Sequence, residues 1–245
     1  MNKSTTNKHA QKSWLLLLCM TLLCSSCLYS RLLSFKDQLA SFDDFVTVTN
    51  SGHTLEFLKP VVHAGDLTEL TGFAPSRIEW TPAGQQIHTY RYRSLAPTGS
   101  AETPQILTFT LRFSTNELVA FDYPASVAEV LGTNFVVAAA KAIGKSRLMQ
   151  RENRLDWALG TNQTSTLIPS RDAIVKLLGP PQHASDAAPG SNASYRYLLE
   201  GTNGNTQTAA SMSADFRFDP ATSLLSHGVL HVGKLKLVVD FPAAP

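Results

Sequence analysis

The sequence predicts an α+β fold built from two repeated modules, each a helix followed by a three-stranded antiparallel meander, with a helical insert between them. Three observations support this prediction. In both halves a short helical pattern ends at a glycine, Gly72 or Gly179, with proline close behind. A Tyr-Arg-Tyr strand pattern follows, and a strand that ends in Arg-Phe before a turn comes next. The two series lie about 105 residues apart, so we expect an internal duplication.

The first module is expected over residues 45–124. Residues 45–50 and 53–58 alternate between apolar and polar side chains around Ser51-Gly52, which predicts a hairpin. Residues 63–71 have helical spacing and stop at a glycine. The remaining elements are alternating strand patterns at residues 87–93, 106–113 and 117–123.

The helical insert is expected over residues 125–165. Two short helices at residues 126–131 and 134–143 are separated by glycine, and a third helix is predicted at residues 145–159. On this third helix the arginines at positions 147, 151 and 154 would form a basic face. Such a face is either solvated or a contact for lipid headgroups or a partner.

The second module is expected over residues 166–245. Ser170 is predicted to cap a helix that continues to Leu178, and Gly179 ends it before two prolines. Residues 201–210 are rich in Gly, Asn and Thr and predict a loop. Strands are expected at residues 194–199, 214–218, 224–232 and 235–241.

The N-terminal segment 1–26 has the features of an export signal. Three lysines precede an apolar run of about 10 residues, which is shorter than the roughly 18 residues that a transmembrane helix needs. The run continues into Leu-Leu-Cys-Ser-Ser-Cys, which resembles the bacterial lipobox. The resemblance implies cleavage before Cys27 and lipidation of its thiol, and ordinary secretion with cleavage near Ser26 is the alternative. Leu28 follows where an aspartate would imply inner-membrane retention, so an outer-membrane location facing the periplasm is expected.

Residues 27–44 are interpreted as the lipidated anchor and its tether, which is either a helix or a flexible segment.

Removal of the signal changes the composition of the chain. Three of the 21 basic side chains leave with it, so the mature chain carries 18 basic and 19 acidic side chains. The basic balance that nucleic-acid binding needs is therefore absent. Two of the three cysteines leave as well, and lipid occupies Cys27, so no thiol is available for a disulfide or a metal.

The second module also resembles a known family. Its helix ending in Leu-Leu-Gly-Pro-Pro-Gln, its Tyr-Arg-Tyr strand and its Phe-x-Phe strand before a turn are similar to the helix-plus-meander module of the SmpA/OmlA family of small bacterial outer-membrane lipoproteins. The resemblance covers residues 170–241 best and 63–123 more loosely. It implies tandem modules of this kind in a non-catalytic envelope lipoprotein that binds other proteins.

Chemical motifs are sparse. His227 and His231 share a strand face, but no third ligand has matching spacing, so no metal site and no cofactor are expected. No hydrolase, P-loop or dinucleotide motif is present, and an enzyme is not expected. The candidate partner-binding residues are Tyr90, Tyr92, Tyr195, Tyr197, Arg147 and Arg151. Ordinary sheet packing is the alternative for the tyrosines.

Two functions follow from these observations. The first is a membrane-anchored module for protein interaction or envelope assembly, whose partners are the bilayer, through acylated Cys27, and other envelope proteins. The second is a lipoprotein that binds a lipid or a small apolar molecule in a cleft between the two repeats and the helical insert.

Overall fold

A single mixed β-sheet of 13 strands forms the centre of the protein. The computed structural model describes residues 28–95, 103–159, 167–185, 191–201 and 206–241. The helices are α1 (28–40), α2 (Phe42–Phe45), α3 (Ala64–Thr71), α4 (Ala125–Leu131), α5 (Thr133–Gly144) and α6 (Arg171–Leu178).

The strands of the first half are β1 (Val46–Thr49), β2 (Thr54–Phe57), β3 (Arg77–Trp80), β4 (Gln86–Ser94), β5 (Ile106–Ser114) and β6 (Glu117–Asp122). Those of the second half are β7 (Arg147–Met149), β8 (Arg154–Ala158), β9 (His183–Ser185), β10 (Asn192–Glu200), β11 (Thr206–Phe218), β12 (Leu225–Val232) and β13 (Leu235–Asp240).

The strand order is β1-β2-β6-β5-β4-β10-β11-β12-β13-β8-β7, with β3 paired to β4 and β9 paired to β10. All pairs between these strands are antiparallel except β13 with β8, which is parallel. The parallel pair connects the hairpin β7–β8, which is early in the second half, to the strand at the end of the described chain.

The prediction of two helix-plus-three-stranded modules is wrong. The strands of both halves are hydrogen-bonded into one sheet, and each half contributes more than three strands. The short strands β3 and β9 were not predicted, because each has only three or four residues and lies next to proline or glycine. The predicted loop at 201–210 is also partly wrong, since β11 begins at Thr206.

The third helix of the predicted insert is wrong as well. Residues 147–158 form the hairpin β7–β8, in which Leu148 pairs with Leu155. The turn contains Asn153 with a φ of 47°, a left-handed conformation that asparagine tolerates and that interrupts a helix. The predicted basic helix face therefore does not form.

Other local predictions are confirmed. The first hairpin is β1–β2, closed by a short 3₁₀ turn at Asn50–Gly52. Helix α3 ends at Gly72, whose φ of 83° is the left-handed cap that glycine favours. The Ser170 side chain caps α6 by accepting a hydrogen bond from the Ala173 backbone N–H at 3.2 Å.

The two halves of the sheet meet where β4 pairs with β10. Tyr92 is opposite Leu199, Arg93 is opposite Leu198, and Ser94 is opposite Tyr197. Arg93 and Leu198 are about 105 residues apart, the same offset as the two Tyr-Arg-Tyr patterns. The β4–β10 pairing therefore joins equivalent positions of the two halves about a local twofold axis, as an isologous interface does.

Helix α1 packs against the body of the protein. The Phe35 ring contacts Phe57 with centroids 5.2 Å apart, and Lys36 Nζ donates to the Ser146 carbonyl at 2.6 Å. Arg31 Nε donates to Asp66 Oδ2 of α3 at 2.8 Å. Residues 28–40 are therefore a docked helix.

Candidate apolar ligand site

An apolar cavity lies between the sheet, mainly its second half, and helices α4, α5 and α6. We call it the larger cavity, and its volume is about 320 Å³. Phe216 and Leu230 contribute from the sheet, Trp157 from β8, and Ile174 from α6. None of its described lining side chains is charged. A cavity of this size and composition is typical of a site for a small apolar ligand.

Helices α4 and α5 cover the larger cavity with apolar side chains. Leu131 of α4 and Phe135 and Ala139 of α5 line it. The two helices are bent by 100° relative to each other at Gly132. Gly132 has φ 80° and ψ 148°, a conformation that side chains with a Cβ atom rarely adopt. The cover is therefore a two-part structure with a glycine at its bend.

Helix α4 is the less firmly packed part of this cover. It has no buried residue, and all its side chains are exposed or half-buried. Elements with few buried apolar contacts open at low free energy. Movement of α4 would therefore give the simplest access to the larger cavity.

A second apolar cavity lies in the first half, beneath α3. We call it the smaller cavity, and its volume is about 260 Å³. Leu67 and Phe73 line it from the side of α3, and Tyr90, Leu111 and Phe121 line it from the sheet. Like the larger cavity, it has no charged side chain among its described lining residues.

Two hydroxyl groups of the cavity walls are hydrogen-bonded within the protein, whereas the buried hydroxyl of Tyr90 has no described partner. Tyr197 donates its hydroxyl hydrogen to the Leu178 carbonyl at 2.6 Å, and Thr71 donates to the Leu67 carbonyl at 2.7 Å. Burial raises the pKa of Tyr90 to about 12, and it raises that of Tyr195 to about 12 as well. These phenols are neutral at physiological pH, and the described walls of the two cavities have no ionised group to bind a charged ligand.

The four predicted tyrosines are core residues. Tyr90, Tyr92, Tyr195 and Tyr197 are at most 6% exposed and lie on the inner face of the sheet. This position agrees with the sheet-packing alternative, since side chains this deeply buried offer little surface to a partner. Three of them line a cavity. Tyr90 and Tyr92 line the smaller cavity, and Tyr197 lines the larger cavity.

The other predicted site residues lie apart from the cavities. Arg147 is exposed on β7, and Arg151 is exposed in the turn of the β7–β8 hairpin. Cys27 lies outside the described residues. His227 Nδ1 is 2.7 Å from Asp240 Oδ1 at the protein surface. Within the described ranges, no group of three or more His, Cys, Asp or Glu residues is arranged to hold a metal ion.

Sequence reasoning missed most of the cavity walls. Met212 lies near the segment predicted as loop, and Trp157 lies in the segment predicted as a helix. The alternating pattern of β12, with Gly228 and Leu230 on one face, was the available signal. This signal was not used to assign an inner face, and it carries no information about what covers that face.

Comparisons with known proteins give no relative for this chain: no protein-family model, curated protein or solved structure matches it. In the described part of the chain, no single helix has the length and apolar character to cross a membrane. The bent pair α4–α5 meets these criteria when its two helices are taken together.

Proposed function

We propose that this protein binds an apolar molecule, such as a lipid chain, in the cavity between the sheet and helices α4, α5 and α6. The observation that supports the proposal is the larger cavity, which combines a volume of about 320 Å³ with uncharged, almost wholly apolar walls. Helix α4, which has no buried residue, covers part of this cavity. The same proposal assigns no catalytic role to the protein.

Unfilled space beside apolar side chains supports the same function. The described side chains that line the larger cavity lack packing partners on the side that faces it. An apolar ligand would restore the missing contacts, whereas water would find no hydrogen-bonding partners in such walls.

We further propose that Cys27 carries lipid and anchors the protein in the outer membrane, facing the periplasm. The support is the lipobox-like sequence, together with α1, which begins next to Cys27 and is docked to the body through Arg31 and Phe35. An anchor at this position would hold the binding domain close to a bilayer, the source of lipid ligands. Replacement of Cys27 by serine should abolish palmitate labelling, and persistent labelling would contradict the anchor.

Mass spectrometry tests the binding function. Protein purified without detergent is extracted with organic solvent, and the extract is expected to contain an apolar molecule in near-stoichiometric amount. The variant Ala139→Trp places an indole in the larger cavity and should lose this molecule. Ala125→Trp, at an exposed position of α4, should retain it. Equal extracts from both variants would contradict the proposal.

A protein-interaction role is the second candidate, and the exposed side chains of β3 favour it. Ile78 and Trp80 are 53% and 66% exposed, and β3 pairs only with β4 among the described strands. The corresponding short strand β9, His183–Ser185, has no large apolar residue. An exposed tryptophan on a free strand edge is a typical protein contact.

Crosslinking in intact cells tests this second candidate. The substitution Trp80→Ala should remove a crosslinked envelope protein that the wild-type chain captures, whereas Leu58→Ala, which is 65% exposed elsewhere, should not. The same crosslinked species from all three proteins would exclude β3 as the contact.

A further inference from the structure

Three side chains belong to the walls of both cavities. They are Phe109 of β5, Met212 of β11 and Leu230 of β12, and they come from both halves of the sheet. The two cavities therefore share the part of the wall that these side chains form. We call the three residues the junction.

We propose that the ligand is a single linear acyl chain that passes the junction and occupies both cavities. This inference rests on the proposed function and adds the shape and the chemical class of the ligand. A compact ring system would fill one cavity and leave the other empty, whereas an extended chain fills both.

The volumes support a chain of considerable length. A cavity of about 150 Å³ holds benzene, which corresponds to about 25 Å³ per carbon atom. By this measure the larger cavity holds about 12 carbons and the smaller cavity about 10. An acyl chain longer than about 12 carbons must therefore enter the smaller cavity to remain buried.

The walls of the larger cavity select hydrocarbon over polar groups, and in the smaller cavity the buried Tyr90 hydroxyl has no described hydrogen-bond partner. The hydroxyls of Tyr197 and Thr71 already donate to backbone carbonyls, and no charged side chain lines either cavity within the described ranges. Burial of an unpaired polar group of the ligand would be costly there. The polar end of the molecule must consequently remain outside these walls.

A third cavity provides a polar border for that end. Its volume is about 290 Å³, it adjoins the larger cavity at Leu131 and Pro169, and its wall includes Ser170 and other polar atoms. The acyl chain is therefore oriented with its polar end toward α4 and α6 and its methyl end toward α3.

The junction is also adaptable. Met212 has an unbranched, flexible thioether side chain, which can adopt alternative rotamers around a passing chain. Leu230 and Phe109 are only half-buried, so their side chains have space to move. A large rigid ring at position 230 would remove this freedom and close the passage.

A chain-length series tests the inference. The uncharged dye N-phenyl-1-naphthylamine is bound to the purified full chain in detergent-free buffer, and saturated fatty acids of 8 to 18 carbons are used to displace it. In the wild-type protein, affinity should rise by up to about fourfold per added methylene, the equivalent of about 0.8 kcal/mol, and the rise should continue beyond 12 carbons.

In Leu230→Trp the affinity should stop rising at or below about 12 carbons, whereas that of the wild type continues to rise. Met212→Phe is the second junction variant, in case the first does not fold, and folding is checked by circular dichroism. Ile106→Trp, at an exposed position of β5 outside both cavities, should behave as the wild type does.

The outcomes separate the two claims. A plateau at about 12 carbons in the wild type, or a junction variant with the wild-type chain-length profile, would overturn the acyl-chain inference and leave apolar binding intact. Failure of the wild-type protein to bind the dye or any of the fatty acids would overturn both.

Discussion

Phe109 of β5 and Met212 of β11 line both apolar cavities, although they belong to different halves of the chain. The sheet therefore does more than connect the two halves. Strands β11 and β12 of the second half contribute to the wall of the cavity beneath α3 of the first half. Binding of an apolar molecule would depend on how firmly the two halves are held together.

Glu200 is expected to be one of the residues that hold the halves together. Its carboxylate, at the end of β10, is 2.6 Å from Arg93 Nη2 and 3.1 Å from Arg91 Nε of the neighbouring strand β4. Glu200 is buried, while both arginines are about half exposed. We expect Glu200→Gln to lower the free energy of unfolding by about 1–3 kcal/mol, because a buried charge-assisted pair is lost.

Urea denaturation measures this effect. Glu79→Gln is the matched control, since Glu79 pairs with Arg77 on the protein surface. Its effect should stay within about 0.5 kcal/mol. An equally small effect of Glu200→Gln would show that the ion pairs of Glu200 do not stabilise the pairing of β4 with β10.

Gly132 is expected to be required at the bend between α4 and α5. A Cβ atom there would meet no neighbour within 4 Å, but the φ of 80° is unfavourable for any residue with a side chain. Gly132→Ala should therefore cost about 1–3 kcal/mol through backbone strain alone. Thermal unfolding monitored by circular dichroism measures the change.

The comparison is Gly65→Ala in α3. Gly65 also has open space around its Cβ position, but its φ is not in the left-handed region. This substitution should leave stability unchanged or raise it by up to about 1 kcal/mol. Equal effects of the two substitutions would contradict the assignment of strain to Gly132.

Asp66 should make the docking of α1 sensitive to acid. Burial acts to raise the pKa of Asp66, but hydrogen bonds from Arg31 and from the His63 backbone N–H outweigh it, and the pKa lies below its ordinary value of 3.8. The stabilisation is therefore fully present above pH 3.8 and is lost as the pH falls through the lowered folded-state pKa.

The pH dependence of chemical denaturation between pH 6 and about pH 2 tests this relation. Asp66→Asn should be less stable at neutral pH by about 1–3 kcal/mol and should show a smaller loss in acid. Asp37→Asn, at an exposed position of α1, should keep the wild-type profile. A wild-type acid profile in Asp66→Asn would refute the role of this carboxylate.

The elements that could be predicted from the sequence are those with strong local signals. The serine cap and the glycine stop of α6 are set within a few residues, and so are the turns of the β1–β2 and β5–β6 hairpins. Strand β4 was predicted from the alternating pattern of residues 87–93, because a buried face needs apolar side chains at every second position.

The β7–β8 hairpin could not be predicted in this way. Leu148 and Leu155 fit a helical spacing, yet they face each other across two strands. The segment is held as a strand by its parallel pairing with β13, where Leu155 is opposite Leu237. That partner lies far along the chain, so nothing local distinguishes the strand from a helix.

The cavities were beyond sequence reasoning for the same reason. The sequence suggested a cleft between the repeats and the insert, but the walls come from residues whose proximity depends on the sheet order. Tyr90 and Tyr197 were identified as notable by their pattern, and their position inside the cavities depends on the β4–β10 pairing.

The most direct test of apolar binding is a calorimetric titration of the purified protein with 1-decanol, a neutral linear alcohol. The wild-type protein should show saturable one-to-one binding with a negative heat-capacity change, the signature of apolar burial. Ala139→Trp should bind at least about tenfold more weakly, a loss of about 1.4 kcal/mol, and Ala125→Trp should bind as the wild type does. Absence of saturable binding by the wild-type protein, or undiminished binding by Ala139→Trp, would contradict the account.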